Sequence, residues 1–81
     1  MTRLEVRNLP AVQIATCLVD ELGGAQHDGG VSGDGWTVRF VRGEPAMVGR
    51  FRVPVLFIEV DGPREQEVAA FVRRKTMRGG G

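Results

Sequence analysis

Five arginines are the side chains of this sequence best suited to bind a ligand, because they stand at alternating positions of segments that are typical of β-strands. They are Arg3, Arg7, Arg39, Arg50 and Arg52. Successive side chains of a strand point to opposite faces of its sheet, so the alternation predicts that these arginines project from one face. Guanidinium groups bind phosphate and carboxylate oxygens through paired hydrogen bonds. The pattern therefore predicts an anion-binding or partner-binding surface.

The same face carries other polar residues that allow a plainer interpretation. Alternation adds Thr37, Glu5 and Glu59 to it. The two glutamates are placed to form cross-strand ion pairs with arginines, and we favour such a solvated face over anion binding. A protein interface on this face is the third alternative. Nucleic acid is the least favoured ligand, because sheets that bind it usually expose aromatic side chains, whereas the aromatic residues here alternate inward.

The residue types that catalyse reactions or hold metals form no site in this sequence. His27 stands beside Asp28, but neighbouring strand residues point to opposite faces, and no serine or cysteine nucleophile is expected near the histidine. Cys17 is near Asp20 and Glu21 on a predicted helix, and carboxylates oppose thiolate formation. The sequence has no Cys/His cluster for zinc and no phosphate-loop pattern. We therefore predict that the chain is not an enzyme and has no catalytic, cofactor-binding or metal-binding residue.

The composition limits the kind of protein that this chain can be. Its 81 residues suffice for one small domain, and 42% hydrophobic with 26% charged residues are ordinary values for a globular one. The net charge of +1 is too small to indicate general affinity for nucleic acid. A single cysteine excludes an internal disulfide, which favours a reducing cytoplasmic location. No apolar run approaches the ~20 residues of a membrane span, and we expect no membrane association.

Two amphipathic segments predict helices. The first has apolar residues at helical spacing, namely Ala11, Ile14, Ala15, Leu18 and Leu22. Pro10 suits the first turn of this helix, with Asn8 or Leu9 at the cap, and Gly23 suits its end. The second helix follows Asp61-Gly62-Pro63 and has a narrow apolar stripe of Val68, Phe71 and Val72. Its acidic residues come first and its basic residues last, which is the order that the helix macrodipole favours.

Alternating apolar and polar residues predict the strands. Residues 3–7 and 36–41 each have one apolar and one polar face. A third alternating run, residues 50–60, changes its apolar parity by one residue at Pro54, as a bulge would produce. We expect either one bent strand there or two collinear strands. The glycine-rich segment, residues 23–35, predicts only a weak edge strand over residues 27–32.

These elements predict an α+β fold with the order β-α-β-β-β-α, in which the last strand is continuous or split. Two layers suffice, namely an antiparallel sheet with both helices on its apolar face. The side chains expected on that face are Leu4, Val6, Trp36, Val38, Phe40, Phe51 and Val53. We expect a single domain over residues 1–78 and a flexible glycine tail over residues 79–81. The unpaired glycine-rich edge predicts a homodimer.

The order of elements and two stretches of sequence resemble the small domain attached to the C-terminus of MoaD-related proteins. The stretches are residues 4–24, LEVRNLPAVQIATCLVDELGG, and residues 49–63, GRFRVPVLFIEVDGP. The resemblance implies a TATA-binding-protein-like fold, in which two helices back a curved antiparallel sheet. It also implies a non-enzymatic accessory or binding domain associated with a molybdopterin or sulfur-carrier pathway. The alternative function is an anion or nucleic-acid binding module that uses the arginine-rich sheet face.

The glycine tail has one specific chemical precedent. Ubiquitin-like sulfur carriers end in Gly-Gly, and the C-terminal carboxylate is converted to a thiocarboxylate. A strand precedes the tail in those carriers, whereas a helix is expected before the tail here. We therefore interpret Gly79-Gly80-Gly81 as a frayed end.

Overall fold

A computed structural model describes residues 1–7 and 10–76 of the chain. The strands are β1 (Thr2–Val6), β2 (Ala25–His27), β3 (Gly30–Gly33), β4 (Trp36–Arg42), β5 (Ala46–Val48), β6 (Phe51–Val53) and β7 (Leu56–Asp61). The helices are α1 (Ala11–Leu22) and α2 (Glu65–Thr76). The predicted glycine tail lies outside the described residues, as do Asn8 and Leu9 at the expected helix cap.

Five strands form one antiparallel sheet in the spatial order β1-β7-β4-β3-β2, so the predicted α+β fold is confirmed. The weak edge strand expected from the glycine-rich segment is instead a hairpin of β2 and β3, with β2 at the edge. The strand expected over residues 50–60 is split. Its first half, β6, pairs with β5 in a separate two-stranded sheet, and its second half, β7, lies between β1 and β4 in the main sheet.

One hydrophobic core covers one face of the main sheet and is shared by both helices, which therefore lie on the same side, as predicted. Its buried side chains are Val6, Ile14, Ala15, Leu18, Val31, Trp36, Val38, Ile58, Val60, Val68, Phe71 and Val72. Leu4 and Phe40 pack against this core and are half-buried. The expectation that Phe51 and Val53 join it is wrong, because both belong to β6 and Phe51 is 74% exposed.

The helix ends follow the predicted pattern except at the start of α1, where Pro10 has an extended ψ of 153° and therefore precedes the first turn instead of belonging to it. Pro10 occupies the cap of α1, and Gly23 ends this helix in the left-handed conformation with φ of 72°. Glycine is the residue that adopts this conformation without strain. Glu65 and Glu67 stand in the first turn of α2, and the basic residues of its last turn are Arg73, Arg74 and Lys75. The predicted order of charges along α2 is therefore confirmed.

Strands β4 and β7 continue into a projecting hairpin, which we call the β-arm and define as residues 46–53. The Gly43 N–H donates to the Val55 carbonyl at 2.9 Å and extends the β4–β7 ladder. The next pair along is Ala46 with Val53. Glu44 and Pro45 lie between Gly43 and Ala46, whereas only Pro54 lies between Val53 and Val55. The segment from β4 to β5 therefore carries one extra residue. The extra residue is in the segment between β4 and β5, so it does not shift the alternation of the segment that contains Pro54. The apolar parity changes at Pro54 because β6 belongs to a separate sheet with an apolar face of its own.

The Glu65 carboxylate ties the start of α2 to the start of β1. Thr2 Oγ1 donates to Glu65 Oε2 at 2.7 Å, and the Met1 amino group lies 3.2 Å from the same oxygen. Hydrogen bonding from Thr2 first, and then from the amino terminus, holds the pKa of the Glu65 carboxyl below its ordinary value of 4.5.

Glu65→Gln is expected to reduce the dependence of stability on pH at acidic pH. A carboxyl whose pKa is lowered by folding contributes stability above its unfolded pKa and loses it as the pH falls through the folded pKa. Between about pH 7 and about pH 3, the free energy of unfolding measured in urea should therefore fall less for the variant than for the wild type. Asp20→Asn, at an exposed carboxylate of α1, is the control that should keep the wild-type slope. If both variants gave the same slope, Glu65 would not have the role described.

Candidate functional site

The open face of the main sheet carries a row of charges that neutralise one another in part. Strand register places Glu59 of β7 between Arg3 of β1 and Arg39 of β4. The Glu59 carboxylate lies 3.7 Å from Arg3 Nε and 4.0 Å from Arg39 Nη1. The carboxylate side chain is 19% exposed, whereas the two arginine side chains are 53% and 68% exposed. This geometry fits the cross-strand pairing expected of a solvated face.

Phe57 is an aromatic side chain on this open face. It precedes Glu59 by two residues in β7, so both side chains point to the same side of the sheet. The Arg3 guanidinium carbon lies 4.3 Å from the centre of the Phe57 ring, which is a cation–π contact. The expectation that the aromatic residues alternate inward is therefore wrong for Phe57. The alternation of β7 about Glu59 is the sequence signal that identifies it.

His27 also lies on the exposed side of the β2–β3 hairpin. Its Nδ1 is 3.2 Å from the main-chain oxygen of Asp28, so the Asp28 carboxylate is not the partner of the ring. Its Nε2 is 2.8 Å from Ser32 Oγ, and this hydroxyl donates to Thr37 Oγ1 at 3.4 Å. The expectation that no serine stands near His27 is therefore wrong, because hairpin pairing brings the two together. The three side chains form a hydrogen-bonded row across β2, β3 and β4.

A groove of about 620 Å³ lies where the β-arm joins the body of the molecule. It is lined by Arg7, Pro10, Ala11, Arg42, Pro45, Pro54, Val55 and Leu56. Arg7 Nε donates to Glu5 Oε2 at 2.6 Å. Arg42, in contrast, forms no ion pair with any residue that the structure describes. The groove therefore combines apolar walls with one guanidinium group that is available to a ligand.

The β-arm has one apolar and one mixed face. Strand register puts four side chains on what we call the apolar arm face, Ala46, Val48, Phe51 and Val53. Towards the tip this face is open to solvent, since Val48 is 53% and Phe51 is 74% exposed. Met47 and Arg52 pair with each other on the opposite face. An exposed apolar surface rimmed by charged residues is typical of an interaction site.

Comparison with known proteins assigns the chain to a family. A family model described as archaeal MoaD-like protein matches residues 2–81. The chain belongs to this archaeal MoaD-like family. The resemblance to MoaD-related proteins inferred from the sequence is thereby confirmed. No curated protein gives a significant match to the MoaD-like chain.

The five arginines singled out in the sequence of this MoaD-like chain do not form one surface. Arg3 and Arg39 lie on the open face of the main sheet, and Arg7 lines the groove. The expectation that Arg50 and Arg52 share the open face is wrong, because they lie in the turn and second strand of the β-arm. Binding by any of the five stays a prediction. Arg42, which the sequence interpretation omitted, is the arginine that the groove brings beside Arg7.

Three further features of the MoaD-like chain concern its cysteine, its metal-ligand residue types and the length of its helices. Cys17 is half-buried and packs against the core. Within residues 1–7 and 10–76, no three His, Cys, Asp or Glu side chains converge on a point where a metal ion could bind. Over the same ranges, neither helix has the length and apolar character needed to cross a bilayer.

Proposed function

We propose that this MoaD-like chain is a non-catalytic accessory domain that binds a protein partner of a molybdopterin or sulfur-carrier pathway in the cytoplasm. Membership of the MoaD-like family supports the pathway, and the groove at the base of the β-arm supports binding of a protein segment. We also propose the TATA-binding-protein-like arrangement that the resemblance implies. An antiparallel sheet with both helices on one face is compatible with it.

The groove is the observation on which this proposal depends, because its lining suits an extended peptide with a negatively charged end. The walls are apolar and consist mainly of Pro10, Pro45, Pro54, Val55 and Leu56. The Arg42 guanidinium forms no ion pair with a described residue and can donate hydrogen bonds to a carboxylate, and Arg7 lines the same groove. Ubiquitin-like sulfur carriers end in Gly-Gly with a terminal carboxylate, and glycine enters narrow clefts because it has no side chain. We therefore assign the groove to the C-terminal segment of such a carrier.

A fluorescein-labelled synthetic peptide ending in Gly-Gly tests this assignment when it is made with a free C-terminal carboxylate and, separately, with a C-terminal amide. Fluorescence anisotropy should show that the amide binds about 10- to 150-fold more weakly, since a charge-assisted hydrogen bond contributes about 1.5–3 kcal/mol. Arg42→Gln should weaken binding of the acid by the same factor and leave binding of the amide unchanged. Arg73→Gln, at an exposed arginine of α2, is the matched control and should bind both peptides as the wild type does.

Equal affinity for the two peptides, or no binding of either, would contradict the assignment of the groove. Binding of labelled heparin, measured by the same method, tests the alternative function, which is an anion or nucleic-acid binding module on the arginine-rich sheet face. Heparin binding that falls steeply between about 50 and about 200 mM salt, and that is lost in Arg39→Gln, would favour that alternative. We expect no such binding, because Glu59 faces both Arg3 and Arg39.

A further inference from the structure

The apolar arm face needs a second layer to exclude water from it. A two-stranded hairpin is marginally stable in water, and an amphipathic sheet normally buries its apolar face against another element. Here Val48 and Phe51 leave that face open at the tip of the β-arm. We propose that a second copy of the chain supplies the missing layer, with the apolar arm faces of the two copies packed against each other about a two-fold axis. This inference is independent of the function proposed above.

The side chains of the apolar arm face are complementary to themselves, which favours a second copy over a different partner. All four are aliphatic or aromatic, so two such faces meet without burying a charge. Arg52 lies on the opposite face beside Met47 and stays in water when the apolar faces meet. A two-fold interface uses the same patch on both copies, and this patch meets that requirement.

The charges at the two ends of the β-arm favour antiparallel packing of two arms. Arg50 lies in the turn at the tip, Glu44 precedes the arm at its base, and both are exposed. Neither forms an ion pair with another described residue. The Met47–Arg52 pair is midway along the arm, so a two-fold axis at this level brings Arg50 of each copy beside the Glu44 segment of the other. Parallel packing would instead place the two Arg50 side chains together.

The surface proposed here differs from the one that the sequence predicted for a homodimer. The predicted surface was the glycine-rich edge, which in the structure is β2, a strand of three residues. All three residues of β2 are exposed, and two of them, Gln26 and His27, are polar. Short polar edges resist pairing with another chain. The apolar arm face is small as well, so we expect a weak dimer with a dissociation constant on the order of 10 µM.

Sedimentation velocity over concentrations above and below this dissociation constant tests the proposal. The wild-type chain should show a monomer–dimer equilibrium. F51S should weaken the dimer about tenfold or more, because a buried phenyl ring is replaced by a hydroxyl group. M47S, on the opposite face of the same hairpin, is the matched control and should dimerise as the wild type does. Arg42→Gln should also dimerise normally, which separates this proposal from the assignment of the groove.

A charge exchange tests the antiparallel orientation without removing an apolar side chain. Glu44→Arg and Arg50→Glu should each weaken the dimer, and the double variant E44R/R50E should restore it. A monomeric wild-type chain would overturn the proposal, and so would a double variant no better than the single variants or an M47S chain as weak as F51S. A monomeric wild-type chain that binds phosphatidylserine vesicles through Phe51 would overturn it too, and would assign the face to a membrane surface.

Discussion

Gly62→Ala is expected to lower the free energy of unfolding by about 2–5 kcal/mol, which is a large part of the stability of a small domain. Gly62 has a φ of 112°, which alanine adopts only with strain. A Cβ atom there would also lie 2.5 Å from the Gly35 carbonyl oxygen and 2.9 Å from Trp36 Cα. Both are main-chain atoms and cannot rotate away as a side chain does. The link from β7 to α2 must open, or Trp36 must move within the core.

Gly29→Ala is the matched control for Gly62→Ala. Gly29 also has a positive φ, 82°, but a Cβ atom there would meet no other atom within 4 Å. Alanine at this position should therefore cost only backbone strain, about 1–2 kcal/mol. Urea denaturation followed by circular dichroism measures both losses. If they were equal, close contact with the segment before β4 would not be the reason that position 62 requires glycine.

Leu18→Ala is expected to lower the free energy of unfolding by about 2–5 kcal/mol, because it removes a fully buried side chain from the centre of the core. Leu18 is 0% exposed and packs between α1 and the sheet. The stability of a small domain is about 5–15 kcal/mol, so the variant should be largely unfolded near body temperature if the wild type is at the low end.

Val12→Ala, on the same helix, is the comparison for Leu18→Ala. Val12 is 64% exposed, and its loss should change the thermal midpoint very little. Thermal unfolding of both variants gives the difference directly. A midpoint for Leu18→Ala that matched the wild type would mean that α1 does not pack on the sheet through this side chain.

The two helices and strands β1 and β4 could be predicted because local patterns determine them. The apolar spacing of α1 repeats with the helical period, and Gly23 ends it for a conformational reason that acts within one turn. Alternation in β1 and β4 gives the sheet one polar, solvent-exposed face and one apolar face, and the helices cover the apolar face. A pattern that repeats every two or about four residues can be recognised without information on distant parts of the chain.

The β-arm could not be predicted, because alternation does not show whether an apolar face is covered. Phe51 and Val53 alternate with Arg50 and Arg52 just as the core strands alternate, so they were expected in the core. Only the pairing of β6 with β5, away from the main sheet, shows that no helix can cover them there. The error in placing Arg50 and Arg52 has the same origin.

The groove was missed for a different reason, which is that it depends on where strands end. Arg42 has the same parity as Phe40 and so points towards the helix side of the sheet. It escapes burial because β4 ends there, beyond the edge of the core and beside Pro10 at the start of α1. Such a position follows from the relative lengths of the strands and helices, which sequence patterns define only to within a few residues.

Strand β1 lies at the edge of the main sheet with β7 as its neighbour, and this placement has a consequence for the order of folding. Thr2 pairs with Val60, and Val6 pairs with Leu56, so the first strand finds its ladder partner only near the other end of the chain. During synthesis β1 therefore stays unpaired until β7 is available. Helix α1 and the hairpins of β2, β3 and β4, in contrast, join segments that are close in sequence. Closing so long a loop slows folding more than local pairing does. Completion of the sheet, and with it of the core beneath α2, is accordingly a late step of folding.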